Sequence, residues 1–129
     1  MINDPAVVAE VRRAFDAYEA ALMANDTATL DALFWDHEAV IRYGAGEVLK
    51  GIAAIRAFRR ARSTADLARV LTDVVITTYG PDFATAFCEY ARTGSGRRGR
   101  QSQTWLRTAQ GWRIVAAHVS LDGQPGSGT

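Results

Sequence analysis

Residues 97–121, RRGRQSQTWLRTAQGWRIVAAHVSL, constrain this chain more than any other stretch. They read as two long strands joined by a tight turn at Ala109-Gln110-Gly111. Side chains alternate between the two faces of a strand. In the second strand Trp112, Ile114, Ala116, His118 and Ser120 therefore share one face, and Arg113, Val115, Ala117, Val119 and Leu121 the other. Beyond Arg113 both faces are mostly small or apolar, which predicts a strand covered on both sides. His118 interrupts its face with a titratable group. Gln101, Gln103, Trp105 and Arg107 alternate along the first strand. A sheet face that carries Gln, Trp and His among apolar neighbours predicts the wall of a pocket.

The remainder of the chain must supply the floor and lid. Asn3 or Asp4 can cap a helix with Pro5 in its first turn. Val8, Val11, Phe15, Tyr18, Ala21 and Leu22 recur at helical spacing and give it one apolar face. Asn25-Asp26 ends it, and a short second helix starts at Thr27 or Thr29 with Leu30, Leu33 and Phe34 turned inward. Ala39–Tyr43 and Glu47–Lys50 read as a short strand pair around Gly44–Gly46. A third helix follows over Ile52–Arg62, with Ile52, Ile55 and Phe58 facing the core and Arg56, Arg60 and Arg62 on its solvated side. Leu67–Tyr79 is rich in β-branched residues, and Gly80-Pro81-Asp82 is a strong turn signal. Phe83–Thr93 alternates, with Thr85, Phe87 and Glu89 on one face and Ala86, Cys88 and Tyr90 on the other. Helices followed by a run of strands predict an α+β domain with a largely antiparallel sheet. A curved, mixed or antiparallel sheet wrapped over three N-terminal helices encloses a conical pocket, the architecture of the NTF2-like (SnoaL-like) fold. The expectation is a single domain over 1–121 and a flexible Gly/Ser/Pro-rich tail over 122–129.

Composition narrows the function classes. A chain of 129 residues holds one core. A formal net charge of +1 gives no overall field for nucleic acid or membrane, and neither is expected as a partner. The basic loop 94–100 is more suited to small anions or water. No apolar run approaches about 18 residues, and the N-terminus lacks a basic region followed by an apolar one. The single cysteine, Cys88, fits a reducing compartment and reads as core. His37 and His118 are far apart in sequence, so no metal-ligand cluster is expected. There is no P-loop and no dinucleotide fingerprint, so no cofactor is expected. Ser120 beside His118 does not make a triad.

Several segments go further: FDAYEAALMANDTATLDALFW (15–35), IRYG (41–44), AIRAFRRAR (54–62), VITTYGPDFATAF (75–87), GRQSQTW (99–105) and GWRIVAAHVSL (111–121). Together they resemble the AtzH-like family, most closely its HpxZ-like, oxalurate-catabolism branch. The resemblance runs from about residue 5 to residue 121. It implies a small cytoplasmic dimer, associated with the breakdown of ureido compounds and encoded beside amidases of the amidase-signature type. It carries no catalytic assignment onto particular residues.

Candidate site residues come from the chemistry of the side chains. An imidazole on a cavity wall, His118, can move a proton near neutral pH, or it can be a structural histidine with one fixed partner. Glu89, if its face is interior, must be paired or protonated, and can orient His118 or balance Arg42; the other reading is a wet strand edge. Arg42 offers a planar fork for a carboxylate, as does Arg59; alternatively Arg42 is a rim residue paired with Asp36, Glu38 or Glu47. Gln103 and Trp105 suit a planar amide by hydrogen bonding and stacking, or pack as core. Tyr18, Tyr43, Tyr90 and Trp35 can line the mouth, or pack as core.

Two functions follow. One is a pocket that binds or transforms a small anionic ureido or amide compound by cofactor-free acid–base chemistry, with His118 and Glu89 catalytic and Arg42, Arg59, Gln103, Trp105, Tyr18, Tyr43 and Trp35 binding. The other is a non-catalytic accessory partner of an amidase, with a vestigial cavity. The apolar face Val115, Ala117, Val119 and Leu121 predicts a homodimer through the sheet.

Overall fold

A computed structural model describes residues 1–123, so the expected tail lies almost wholly outside the described residues. Helix α1 spans Pro5–Ala24. Asp4 caps it by accepting from the Ala6 N–H at 3.0 Å, and Pro5 occupies a first-turn position that needs no amide donor. Val7, Val11, Phe15, Tyr18, Ala21 and Leu22 form its buried stripe, so Val7 rather than Val8 takes the first inward place. Asn25, at φ 51°, ends the helix in the left-handed region. Asp26 then caps α2 (Thr27–Leu33), accepting from the Thr29 N–H at 3.2 Å. Helix α3 (Ile52–Ala61) buries Ile55 and Arg59.

The strands are β1 (Ile41–Tyr43), β2 (Val48–Lys50), β3 (Arg69–Thr78), β4 (Phe83–Arg92), β5 (Arg98–Thr108) and β6 (Gly111–Leu121). They form one sheet in the order β2-β1-β6-β5-β4-β3. The β1–β6 pair is parallel and the other pairs are antiparallel, so the sheet is mixed. It curves without closing, and the helices fill its concave side. Val11, Phe15, Leu30, Phe34, Ile55, Trp105 and Ile114 sit at the centre of that core.

Two bulges shape the curvature. One lies between Thr72 and Val75 in β3, where Asp73 takes φ 52°. The other lies in β6: Ile114 pairs with Trp105 but Ala116 pairs with Thr104, which leaves Val115 as the inserted residue. An inserted residue bends the strand and shifts its alternation by one. The uniform alternation expected for β6 is thereby corrected. Trp112 and Ile114 face the core, but beyond the bulge Ala117, opposite Gln103, and Val119, opposite Gln101, take over the inner face. His118 and Ser120 turn to the outer face, opposite Ser102 and Arg100. Ala117 packs against the core, and Val119 and Leu121 line the inner cleft described below, so these residues are not the apolar outer surface expected of them.

That outer surface comes from β3 and β4 instead. Val70, Val75, Phe83 and Phe87 lie on their outer faces, with Val75 56% and Phe87 54% exposed. The alternation read for β4 holds: Ala84, Ala86, Cys88 and Tyr90 are buried, and Phe83, Phe87 and Glu89 are exposed.

Candidate functional site

The concave side opens between the C-terminal end of α3, the β1–β2 hairpin and the far ends of β4–β6. A cleft of about 260 Å³ lies there, walled by Arg42, Glu47, Phe58, Arg62, Tyr90 and Arg92. It shares Arg42, Arg62, Tyr90 and Arg92 with a smaller chamber of about 50 Å³ that reaches Tyr18, Arg69 and Gln101. The size is just below that of typical ligand pockets, roughly 300–1,000 Å³, and suits only a small molecule.

Local structure places each group. Arg42 is the middle residue of β1, pairs with Leu49 and Ala117 on the inner face, and is buried. Its Nη1 donates to Glu47 Oε1 at 2.9 Å, and its guanidinium lies 5.4 Å from the Phe58 ring centre. Glu47 reaches back because the hairpin is tight: the Gly44 N–H donates to the Glu47 carbonyl at 2.9 Å. Of the partners considered for Arg42, Glu47 is the one it takes, and Arg42 still faces the cleft.

Arg69 opens β3 and is buried against α1. Its Nε donates to Glu19 Oε2 at 3.1 Å, its Nη2 donates to Glu19 Oε1 and, at 2.9 Å, to Gln101 Oε1. The guanidinium stacks 4.6 Å from the centre of the Tyr90 ring. The paired Glu19 carboxylate raises the Arg69 pKa, although burial opposes it. Tyr90 in turn crosses under β5 to donate its hydroxyl to the Ser120 carbonyl at 2.9 Å, and burial pushes its pKa up. Arg62, the residue that ends α3, also lines the cleft.

The residues singled out from the sequence separate into five places. Arg42 and Tyr18 line the inner cleft. Arg59 is buried behind it, its side chain only 3% exposed, with Nε donating to Asp31 Oδ1 at 3.1 Å and its guanidinium against Phe34. Gln103 and Trp105 are core: the Trp105 indole N–H donates to Gln103 Oε1 at 3.0 Å, so that carbonyl is engaged within the sheet. Trp35 stacks on His37 at 4.0 Å and borders a separate depression with Asp31, Asp36 and Arg56.

The fifth place is the outer face. His118, Glu89 and Tyr43 lie there. Tyr43 meets His118 edge-on at 5.7 Å. His118 and Glu89 border an outer groove of about 360 Å³ together with Asp73, Arg100, Ser102 and Ser120. The expected placement of His118 on the cavity wall is therefore corrected by the β6 bulge, and Glu89 stands on the wet side of the sheet. The pair expected to do proton chemistry and the arginine expected to clamp the ligand are on opposite faces of one sheet.

Sequence reasoning missed Arg62, Arg69 and Gln101 as cleft residues. Gln101 and Tyr90 were signalled, since both have the parity of the buried Cys88 and Ala86 faces. Arg62 was read as solvated because three neighbouring arginines on one helix resemble a wet face. Cys88 is core, as read; burial pushes its thiol up to about 11, which leaves it protonated and weakly nucleophilic at neutral pH. Among the described residues, no group of three or more His, Cys, Asp or Glu is gathered as a metal site, and no helix is long and apolar enough to cross a membrane.

Three helices inside the curve of an unclosed six-stranded mixed sheet, with a basic cleft at its open end, define an NTF2-like protein. An NTF2-like superfamily protein from Salmonella enterica superposes with a TM-score of 0.75 at 22% identity, covering 96% of each chain, a likeness of fold alone. The chain belongs to the AtzH-like family, whose model matches residues 1–125. A DUF3225-family protein of unknown function from Pectobacterium atrosepticum is 57% identical, with a TM-score of 0.92 over 95% of each chain. A cystatin-like fold protein from Burkholderia xenovorans is 46% identical, with a TM-score of 0.91 over 97% of this chain and 98% of that one. No curated protein matches.

Proposed function

We propose that the inner cleft binds a small anionic ureido or amide compound of the oxalurate type. The observation that carries this reading is the convergence of Arg42, Arg62, Arg69 and Arg92 on one small concavity. Guanidinium forks suit planar carboxylates, and Tyr18 adds a neutral polar group for the amide end. The family resemblance supports the ureido class. Any proton transfer inside this cleft falls to Tyr18, Tyr90, Glu47 or Asp66, because His118 and Glu89 lie across the sheet.

Calorimetric titration with oxalurate tests the reading. Arg42→Ala removes a buried charged donor and is expected to weaken binding by about 2–5 kcal/mol, which is thirtyfold or more. His118→Ala is expected to leave the affinity unchanged. The opposite ranking would move the ligand to the outer groove and reject the inner cleft.

The outer face carries a second proposal. Val70, Val75, Phe83 and Phe87 expose a row of large apolar groups along β3 and β4. Soluble monomers rarely leave such a patch open, and isologous pairing covers it most simply. The expected result by light scattering is a particle of twice the 14.0 kDa chain mass. Phe87→Glu is expected to return it to a monomer. A wild-type monomer would leave this face to a different partner, such as the amidase.

A further inference from the structure

Four guanidinium groups line the cleft, and three of them already hold a carboxylate. Arg42 pairs with Glu47, Arg69 with Glu19, and Arg92 with Asp66 at 3.8 Å. Arg62 is the exception. Its Nε and Nη2 are shut off from solvent, yet neither has a hydrogen-bond partner among the described residues. Four cations against three anions leave one uncompensated positive charge, and the geometry puts it on Arg62.

This is an expensive arrangement for a chain to keep. Arg62 is half-buried, and its two closed-off donors lose their hydration and gain nothing in return. It cannot escape by releasing its proton under ordinary conditions. Its surroundings make matters worse: burial first and then Arg59 pull its pKa down, Tyr18 opposes them, and Arg42 and Arg69 add to the lowering. The carboxylates nearby are occupied. Arg62 also sits where the two chambers meet, since it borders both.

We propose that Arg62 is the anion anchor of the cleft, an assignment that rests on the small-anion reading above. A single carboxylate from the ligand, held where the Arg62 side chain borders both chambers, supplies the missing negative charge. Arg42 and Arg69 then act as the frame of the site, held in place by Glu47 and Glu19. The charge count also sets specificity. A monoanion neutralises the cleft, whereas a second carboxylate on the ligand would lie among Glu47 and Asp66 with no cation left to take it.

The test is thermal unfolding of wild type, Arg62→Met and Arg62→Lys, each with formate, oxalurate and the dianion oxalate, against sodium chloride at equal ionic strength. A ligand that binds only the folded chain raises its melting temperature. Without added anion, Arg62→Met is expected to melt higher than wild type, because it removes the unpaired charge and keeps the bulk. Formate and oxalurate are expected to raise the wild-type midpoint and to leave Arg62→Met unmoved. Arg62→Lys keeps the charge without the fork and is expected to respond at least about tenfold more weakly than wild type. Oxalate is expected to act no better than formate. An anion response that survives in Arg62→Met, or a wild type indifferent to formate, overturns the assignment. Failure of the oxalurate reading alone looks different: a formate response that requires Arg62, with no larger response to oxalurate.

Discussion

Glu19→Ala is expected to cost about 3–5 kcal/mol of folding stability, the loss typical of stripping one partner from a buried ion pair. The reason lies in where the pair sits. Glu19 comes from the C-terminal half of α1 and Arg69 from the first position of β3, 50 residues away, and both side chains are largely buried. Two of the Arg69 donors go to Glu19 and one is shared with Gln101. Without Glu19 the guanidinium keeps only Gln101 and the face of Tyr90. The penalty is the uncompensated charge rather than the lost contact, which gives a second, sharper expectation. The double variant Glu19→Leu/Arg69→Met removes both charges and is expected to recover most of the stability. Urea unfolding measures both. If Glu19→Ala lost under 1 kcal/mol, water would have to reach Arg69, and the cleft would be wetter than its geometry states.

Gly99→Ala is expected to cost about 2–4 kcal/mol, combining overpacking with a lost hydrogen bond. A Cβ at Gly99 would stand 2.2 Å from the Ser120 carbonyl oxygen and 2.4 Å from the Tyr90 ring. The glycine is needed here for space, since Tyr90 passes over its Cα to reach Ser120. Adding a methyl group forces the ring aside and breaks the 2.9 Å hydrogen bond from the Tyr90 hydroxyl. Tyr90 is a wall of the cleft and the platform beneath Arg69, so anion affinity is expected to fall along with stability. Adding Tyr90→Leu relieves the ring contact but not the contact with the Ser120 carbonyl. The double variant is therefore expected to regain only part of the loss in a denaturant titration. Full recovery would show that the backbone contact relaxes freely.

Both effects concern residues whose importance depends on pairings across the fold, and that divides what was legible from what was not. The helices were legible because their signals are local. Pro5 follows its cap, the apolar stripe of α1 repeats at three and four, and Asn25-Asp26 both stops one helix and starts the next. The β4 faces were legible because its alternation is unbroken from Phe83 to Tyr90. The turns at Gly80-Pro81-Asp82 and Ala109-Gln110-Gly111 fall where their residues allow, with Gly80 at φ 74° and Gly111 at φ 108°. The family segments were legible for the same reason: they are contiguous words.

The site was only half legible. Arg42 was found because an arginine between apolar neighbours in a short strand stands out. His118 was placed on the wrong face because parity assumes a constant period, and one inserted residue at Val115 reverses everything after it. Nothing in GWRIVAAHVSL marks that insertion, since bulging depends on how β6 must bend to pair with β5 and β1 at once. The arginines show the same limit. Arg59 and Arg62 are three residues apart on one helix end and look alike as sequence. Asp31 of α2 meets the first, and among the described residues no carboxylate meets the second. Local propensity and alternation determined the elements and most of their faces. Which charge was neutralised, and which was left unpaired among the described residues, was decided only when distant segments came within a few ångströms, the range over which Coulomb and hydrogen-bond energies in a dry interior become large.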